Sequence, residues 1–164
     1  MARKSGIIAG IIMFLITFVY KIPTFFIENV NIKLTLFSAN NIDYCLWGYA
    51  SANTGFSSIA LSYPESYVAL LMFLLAVFVA IISIMASTTK AKIVHSLTLY
   101  RLNIVLILLL LSIYGILAVF LNLNDILALF IPIFEGFGLS YYFLISILIL
   151  NIIAMKKLKK LIPE

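Results

Sequence analysis

Tyr67–Ser87 reads YVALLMFLLAVFVAIISIMAS, 21 residues without a single charge. A helix of that length rises about 31 Å, enough to cross a hydrocarbon core of about 30 Å. Pro64 and Glu65 stand just before it. Proline suits the first turn of a helix, and a carboxylate suits the positive end of its dipole. The composition of the whole chain agrees with this one run. Of 164 residues, 65% are hydrophobic and 10% charged, with mean hydropathy +1.21. A soluble domain carries about 25% charged residues. Lipid is therefore the expected solvent for most of the chain.

Working outward, two more runs match the first. Leu102–Leu121 and Gly136–Met155 are each 20 residues long, and the latter ends directly in Lys156, Lys157, Lys159 and Lys160. The N-terminal run, Gly6–Tyr20, is shorter at about 22 Å. It reaches spanning length by continuing to about residue 26 with Lys21 snorkelling to the headgroups. Arg3 and Lys4 before an apolar run also fit a signal peptide, but no small-x-small cleavage site precedes a polar start. The expected fold class is an all-α membrane protein: a four-transmembrane-helix bundle with a small extracellular β-sheet. The expected spans are 6–26, 67–87, 102–121 and 136–155. Between them lie an outer loop at 27–66, an inner loop at 88–101 and an outer segment at 122–135, and a basic inner tail follows at 156–164. Gly6 and Gly10 form GxxxG and Ala76 and Ala80 a small-xxx-small pair, both candidates for close helix packing.

Orientation follows from the cations. Arg3, Lys4, Lys90, Lys92, Arg101 and the four C-terminal lysines are nine of the 11 Lys and Arg, and all fall on one side of this topology. Positive flanks mark the cytoplasmic side, so both termini are expected inside and the C-terminal lysines serve as topology anchors. Their second reading is a polybasic lipid-binding segment. Localisation is expected in the cell (plasma) membrane.

The outer loop carries strand signals. Asn29–Leu36 alternates apolar and polar residues, Asp43–Tyr49 is aromatic, and Ser58–Tyr63 alternates again. Ser38–Asn41 and Ser51–Gly55 read as turns. Three short strands are expected to form an antiparallel sheet on the outer end of the bundle. The loop holds the only Trp, Trp47, and the only Cys, Cys45. Trp47, Gly48, Tyr49 and Tyr63 are candidate interaction residues. Trp47 either plugs the sheet against the bundle or sits in an exposed aromatic patch that meets a partner. Asp125–Phe134 (DILALFIPIF) is apolar for a loop and adds Phe130 as a candidate lateral contact. Cys45 reads as a small buried hydrophobe.

The motif Leu46-Trp47-Gly48-Tyr49, followed by Leu61-Ser62-Tyr63-Pro64 just before the second span, resembles the claudin and peripheral-myelin-protein superfamily of tetraspans. The pattern is most similar to its fungal PalI-type members. The family's cysteine pair, which would fall near Ala50 and Ser57, is absent. The resemblance implies a claudin-like, non-enzymatic protein that organises membrane or mediates contact by lateral assembly.

Chemistry for an enzyme is sparse. No Gly-rich phosphate loop, HExxH, CxxC or GxSxG occurs, and no cofactor or metal is expected. His95 reads as a solvated residue of the inner loop. The expected partners are the lipid bilayer and the protein itself or other integral membrane proteins, with no nucleic acid and no small-molecule substrate. A small accessory subunit of a larger membrane complex is the alternative, and an oligomeric pore a third reading.

Overall fold

The computed structural model describes residues 2–19, 21–23, 31–39, 42–46, 50–52, 58–59, 65–88, 93–122 and 137–161. The described residues include four helices, α1 (Ala2–Phe18), α2 (Glu65–Ser87), α3 (Ile93–Asn122) and α4 (Leu139–Lys159). Between α1 and α2 the chain makes β1 (Lys21–Pro23) and β2 (Asn31–Lys33), paired antiparallel with Lys21 opposite Lys33. A four-stranded antiparallel meander follows in the order β3 (Phe37–Ala39), β4 (Ile42–Tyr44), β5 (Ala50–Ala52) and β6 (Ser58–Ile59).

The helices form a closed ring in which α1 packs on α2 and α4, and α3 on the same two. Neighbours run antiparallel. Gly6 near the start of α1 lies against Ser87 at the end of α2, and Gly10 against Ala80 and Ile84. Tyr141 at the start of α4 likewise lies beside Gly115 in the later part of α3. A continuous core runs through the ring from Ala9, Met13 and Ile16 on α1 to Ile107 and Leu110 on α3 and Leu144 and Ile147 on α4.

The outward faces differ from those of a water-soluble bundle. Serines and asparagines are buried between the helices, while Ile11 (56% exposed), Leu71 (60%) and Ile116 (67%) face outward. Soluble monomers rarely expose contiguous apolar patches of this kind. Leu70–Ser87, Ile93–Val119 and Leu139–Lys159 are each long and apolar enough to cross a membrane. Three long apolar helices with outward apolar faces are the arrangement of a membrane-embedded multi-pass protein. The fourth apolar helix, Lys4–Phe18, is shorter.

Several expected boundaries are corrected. The first helix does not run to residue 26 but ends at Phe18, and Lys21–Pro23 is a strand. A helical Pro23 would clash with the carbonyl of Val19, and the residue before a proline is steered toward extended backbone. Leu102 does not open the third helix, which starts at Ile93. The extra turns are held because Ile93, Leu97 and Tyr100 pack with Ala86, Ala154 and Leu158. Arg101 and His95 therefore sit on a helix, both exposed, and not in a loop. The fourth helix begins at Leu139, three residues later than expected, and runs on through Lys156, Lys157 and Lys159. Those cations complement the negative end of its dipole.

The expected strand at 29–36 is also divided. Leu34, Thr35 and Leu36 are all buried, so the alternation that predicted one wet face does not hold there. The start of α4 covers the second face. Ser38 and Ala39 lie in β3 and Ser51 and Ala52 in β5, where turns were expected. Asp43–Tyr49 is not one strand either, because Cys45 and Leu46 leave the ladder and turn into the interior.

Candidate functional site

The end of the bundle opposite the C-terminal lysines is a platform built on the β3–β4 hairpin. Ala39 stands opposite Ile42 and Phe37 opposite Tyr44. The Phe37 and Tyr44 rings stack across the strands with centroids 4.6 Å apart, a cross-strand contact of the kind that stabilises hairpins. Asp43 ties the pieces together. Its Oδ2 pairs with Lys33 Nζ from β2 at 2.7 Å, and its Oδ1 accepts a bond from Ser38 Oγ at 2.7 Å. One carboxylate thus links β2, β3 and β4.

The platform is joined to the bundle through backbone. Gly138 N donates to Leu36 O at 2.8 Å and Ser140 N to Thr35 O at 2.9 Å, while Phe37 bridges Phe137. The first N–H groups of a helix lack partners within it, and here loop carbonyls supply one. Gly138 has φ −81° and ψ 169°, open to any residue, so its conformation does not demand glycine. Space does. A Cβ there would overlap Thr35 O and Thr35 Oγ1. Below this junction Leu36, Phe37 and Leu46 enter the same core as Tyr114, Ala118 and Leu144.

Cys45 adjoins the candidate motif and is 4% exposed. Burial pushes its thiol from 9.0 up to about 12, the nearby Asp43 carboxylate adds to the rise, and Lys33 opposes it. A thiol held protonated is a poor nucleophile. Trp47, Gly48, Tyr49, Tyr63 and Phe130 lie outside the described residues. What is placed is the anchor on either side of the first three: Cys45 and Leu46 before them, and β5 after.

Of the helix-packing candidates, Gly6, Gly10 and Ala80 lie where α1 meets α2. Gly10 of α1 approaches the Ala80 carbonyl of α2, where a Cβ would stand 3.0 Å from that oxygen and 2.5 Å from Ile84 Cγ1. A Cβ at Gly6 would overlap the hydroxyls of Ser87 and Tyr100. Ala76 and Ala80 are fully buried. At Gly6 and Gly10 the missing side chains let α1 approach α2 closely.

A polar cluster that the sequence reading did not single out lies between all four helices. Ser83 Oγ is 3.0 Å from both Gly6 O and Asn151 Oδ1, and Asn103 Nδ2 donates to Asn151 Oδ1 at 3.1 Å. Asn151 Nδ2 donates back to Ile147 O at 2.9 Å. Ser87 Oγ donates to Ser83 O at 2.6 Å and is 2.7 Å from Tyr100 Oη. Ser83, Asn103 and Asn151 are completely buried. Among the described residues, Ser96 Oγ, Asn103 Oδ1 and Ser140 Oγ have no partner. The available signal was two carboxamides inside apolar runs, since a buried amide in lipid needs an internal partner. Which helix supplied that partner required the structure. Among the described residues, no group of His, Cys, Asp and Glu stands close enough to hold a metal ion.

The four lysines expected to anchor topology, Lys156, Lys157, Lys159 and Lys160, are all exposed at the end of α4. Lys4 and Arg101 are exposed toward the same end of the bundle, because Gly6, Tyr100 and Ser87 meet there. No protein-family model, curated protein or solved structure matches the chain.

Proposed function

We propose that this chain is a non-enzymatic, claudin-like tetraspan that organises membrane or mediates contact by lateral assembly through its outer sheet and helix faces. The carrying observation is the backbone junction between Thr35–Phe37 and Phe137–Ser140, which ties a sheet to one end of the helix ring. A contact surface must hold its shape against a partner, and rigid support lowers the ordering cost of binding. In the chain, Trp47, Gly48 and Tyr49 follow directly on buried Cys45 and Leu46. Trp47 and Tyr49 are of the kind that dominate interface energetics. In this reading α1 is the fourth span, the basic end is cytoplasmic, and the sheet faces outward in the plasma membrane.

Gentle detergent extraction followed by native mass measurement tests the proposal. A homogeneous self-oligomer is expected, and Trp47→Ala should weaken it while leaving insertion and yield intact. Constant recovery with large unrelated subunits would sink the proposal in favour of an accessory-subunit role. Loss of expression in Trp47→Ala would make Trp47 a folding residue and remove it from the site.

A further inference from the structure

Three of the four helices present the same composite stripe outward. On α1, Lys4 is followed by Ile8, Ile11, Leu15 and Phe18, all exposed at spacings that share one helix face. On α4, Ile145, Ile149 and Ile153 lead to Lys156 and Lys160 along one face, again all exposed. On α3, Arg101 heads Val105 and Leu108 in the same manner. In every case the cation stands at the same end of the bundle and the apolar residues run away from it. The corresponding stripe of α2, through Phe78, Ile81 and Met85, ends in Thr88. At the opposite end the described Lys33 is paired with Asp43.

A stripe with a cation at one end and exposed hydrocarbon above it matches an amphiphile with an anionic head and apolar tails. We propose that the basic end of the bundle binds anionic glycerophospholipid. The phosphate sits against Lys156 and Lys160, and against Arg101 and Lys4 on the neighbouring faces. Its acyl chains lie along Ile149 and Ile153 and their counterparts. A free phosphate would meet only the cations, whereas a membrane lipid meets the cations with its head and the apolar stripe of the same face with its tails. The described part of the α2 face carries no cation. This inference rests on the membrane-embedded reading of the fold and is independent of the outer sheet.

The test uses the full chain in mild detergent. It is incubated with equal amounts of phosphatidylglycerol and phosphatidylcholine of identical acyl chains, and bound lipid is counted by native mass spectrometry. The wild type should retain phosphatidylglycerol preferentially. Each cation removed should lower that preference by about five-fold, the factor expected for one Lys or Arg near an anionic surface. K156Q/K160Q is therefore expected to lose most of it, K156R/K160R to keep it, and K33Q to leave it unchanged. If the glutamine variants aggregate, the wild type decides alone, because the preference must shrink between 0.1 M and 1 M salt. Equal retention of both lipids by the wild type, or an undiminished preference in K156Q/K160Q/R101Q, overturns the proposal. Displacement of the lipid by millimolar glycerol phosphate overturns the assignment to lipid. A chain released from membranes by alkaline carbonate marks failure of the membrane reading. A chain that stays embedded without lipid preference marks failure of this inference only.

Discussion

Replacing Gly138 by alanine should loosen the sheet from the helix ring. The added methyl would land on the carbonyl and hydroxyl oxygens of Thr35, and a carbonyl held in the backbone cannot swing aside as a side chain can. Relief requires Phe137–Ser140 to withdraw from Thr35–Phe37, which breaks the bonds from Gly138 N to Leu36 O and from Ser140 N to Thr35 O. Each bond contributes about 1 kcal/mol net, and the forced shift adds about 1–3 kcal/mol. The smaller conformational freedom of alanine in the unfolded chain returns about 0.4–1 kcal/mol. The expected destabilisation is therefore about 2–5 kcal/mol, read as a lower midpoint in denaturant titration of the purified protein in detergent. Hydrogen exchange should rise at Gly138 and Ser140, whose N–H groups lose their acceptors. Gly115→Ala is the control, because its methyl would meet only the Tyr141 hydroxyl at 3.2 Å, the far end of a side chain. Helix propensity favours that change by about 1 kcal/mol, so it should be neutral or stabilising. Gly138→Ala with wild-type stability and unchanged exchange would refute the junction.

Three further outcomes are expected. Asn151→Leu removes the acceptor for Asn103 Nδ2 and Ser83 Oγ. Interhelical bonds in membranes contribute about 0.6 kcal/mol each and at most about 1.7, so it should cost about 1–3 kcal/mol. Adding Asn103→Leu should recover part of that loss by removing the orphaned carboxamide, and additive losses would argue against a shared cluster. Gly10→Leu drives a branched side chain into Ile84 and the Ala80 carbonyl, and should separate α1 from α2 at a cost above about 2 kcal/mol, seen in the same titration. Cys45, with its thiol pushed up to about 12, should resist maleimide at pH 8 until the protein is unfolded. The folded chain keeps a proton that the unfolded chain releases near 9.0, so this group makes stability fall as pH rises from about 9 to 12. Fast labelling of the native protein, or stability rising across that window, would show the thiol to be open.

The membrane solvent, the existence of four helices and the one-sided basic charge follow from the sequence alone. Each rests on local content: long runs without charge, and cations placed at their flanks. The small-residue pairs were legible too, because GxxxG and its alanine counterpart are patterns within one helix. Their mutual contact was not, since spacing within one helix says nothing about which helix lies opposite. Boundaries depended on partners distant in sequence. Ile93–Tyr100 is helical because Ala154 and Leu158 pack on it, and nothing nearby in the chain announces that. Leu34–Leu36 left the strand pattern because the start of α4 lies over its second face. Asn103 and Asn151 stand far apart in sequence and are 3.1 Å apart in space. Sequence could say that a carboxamide in lipid needs a partner. Only the packed ring decided which partner each one has, because that choice belongs to the whole fold and not to any one segment.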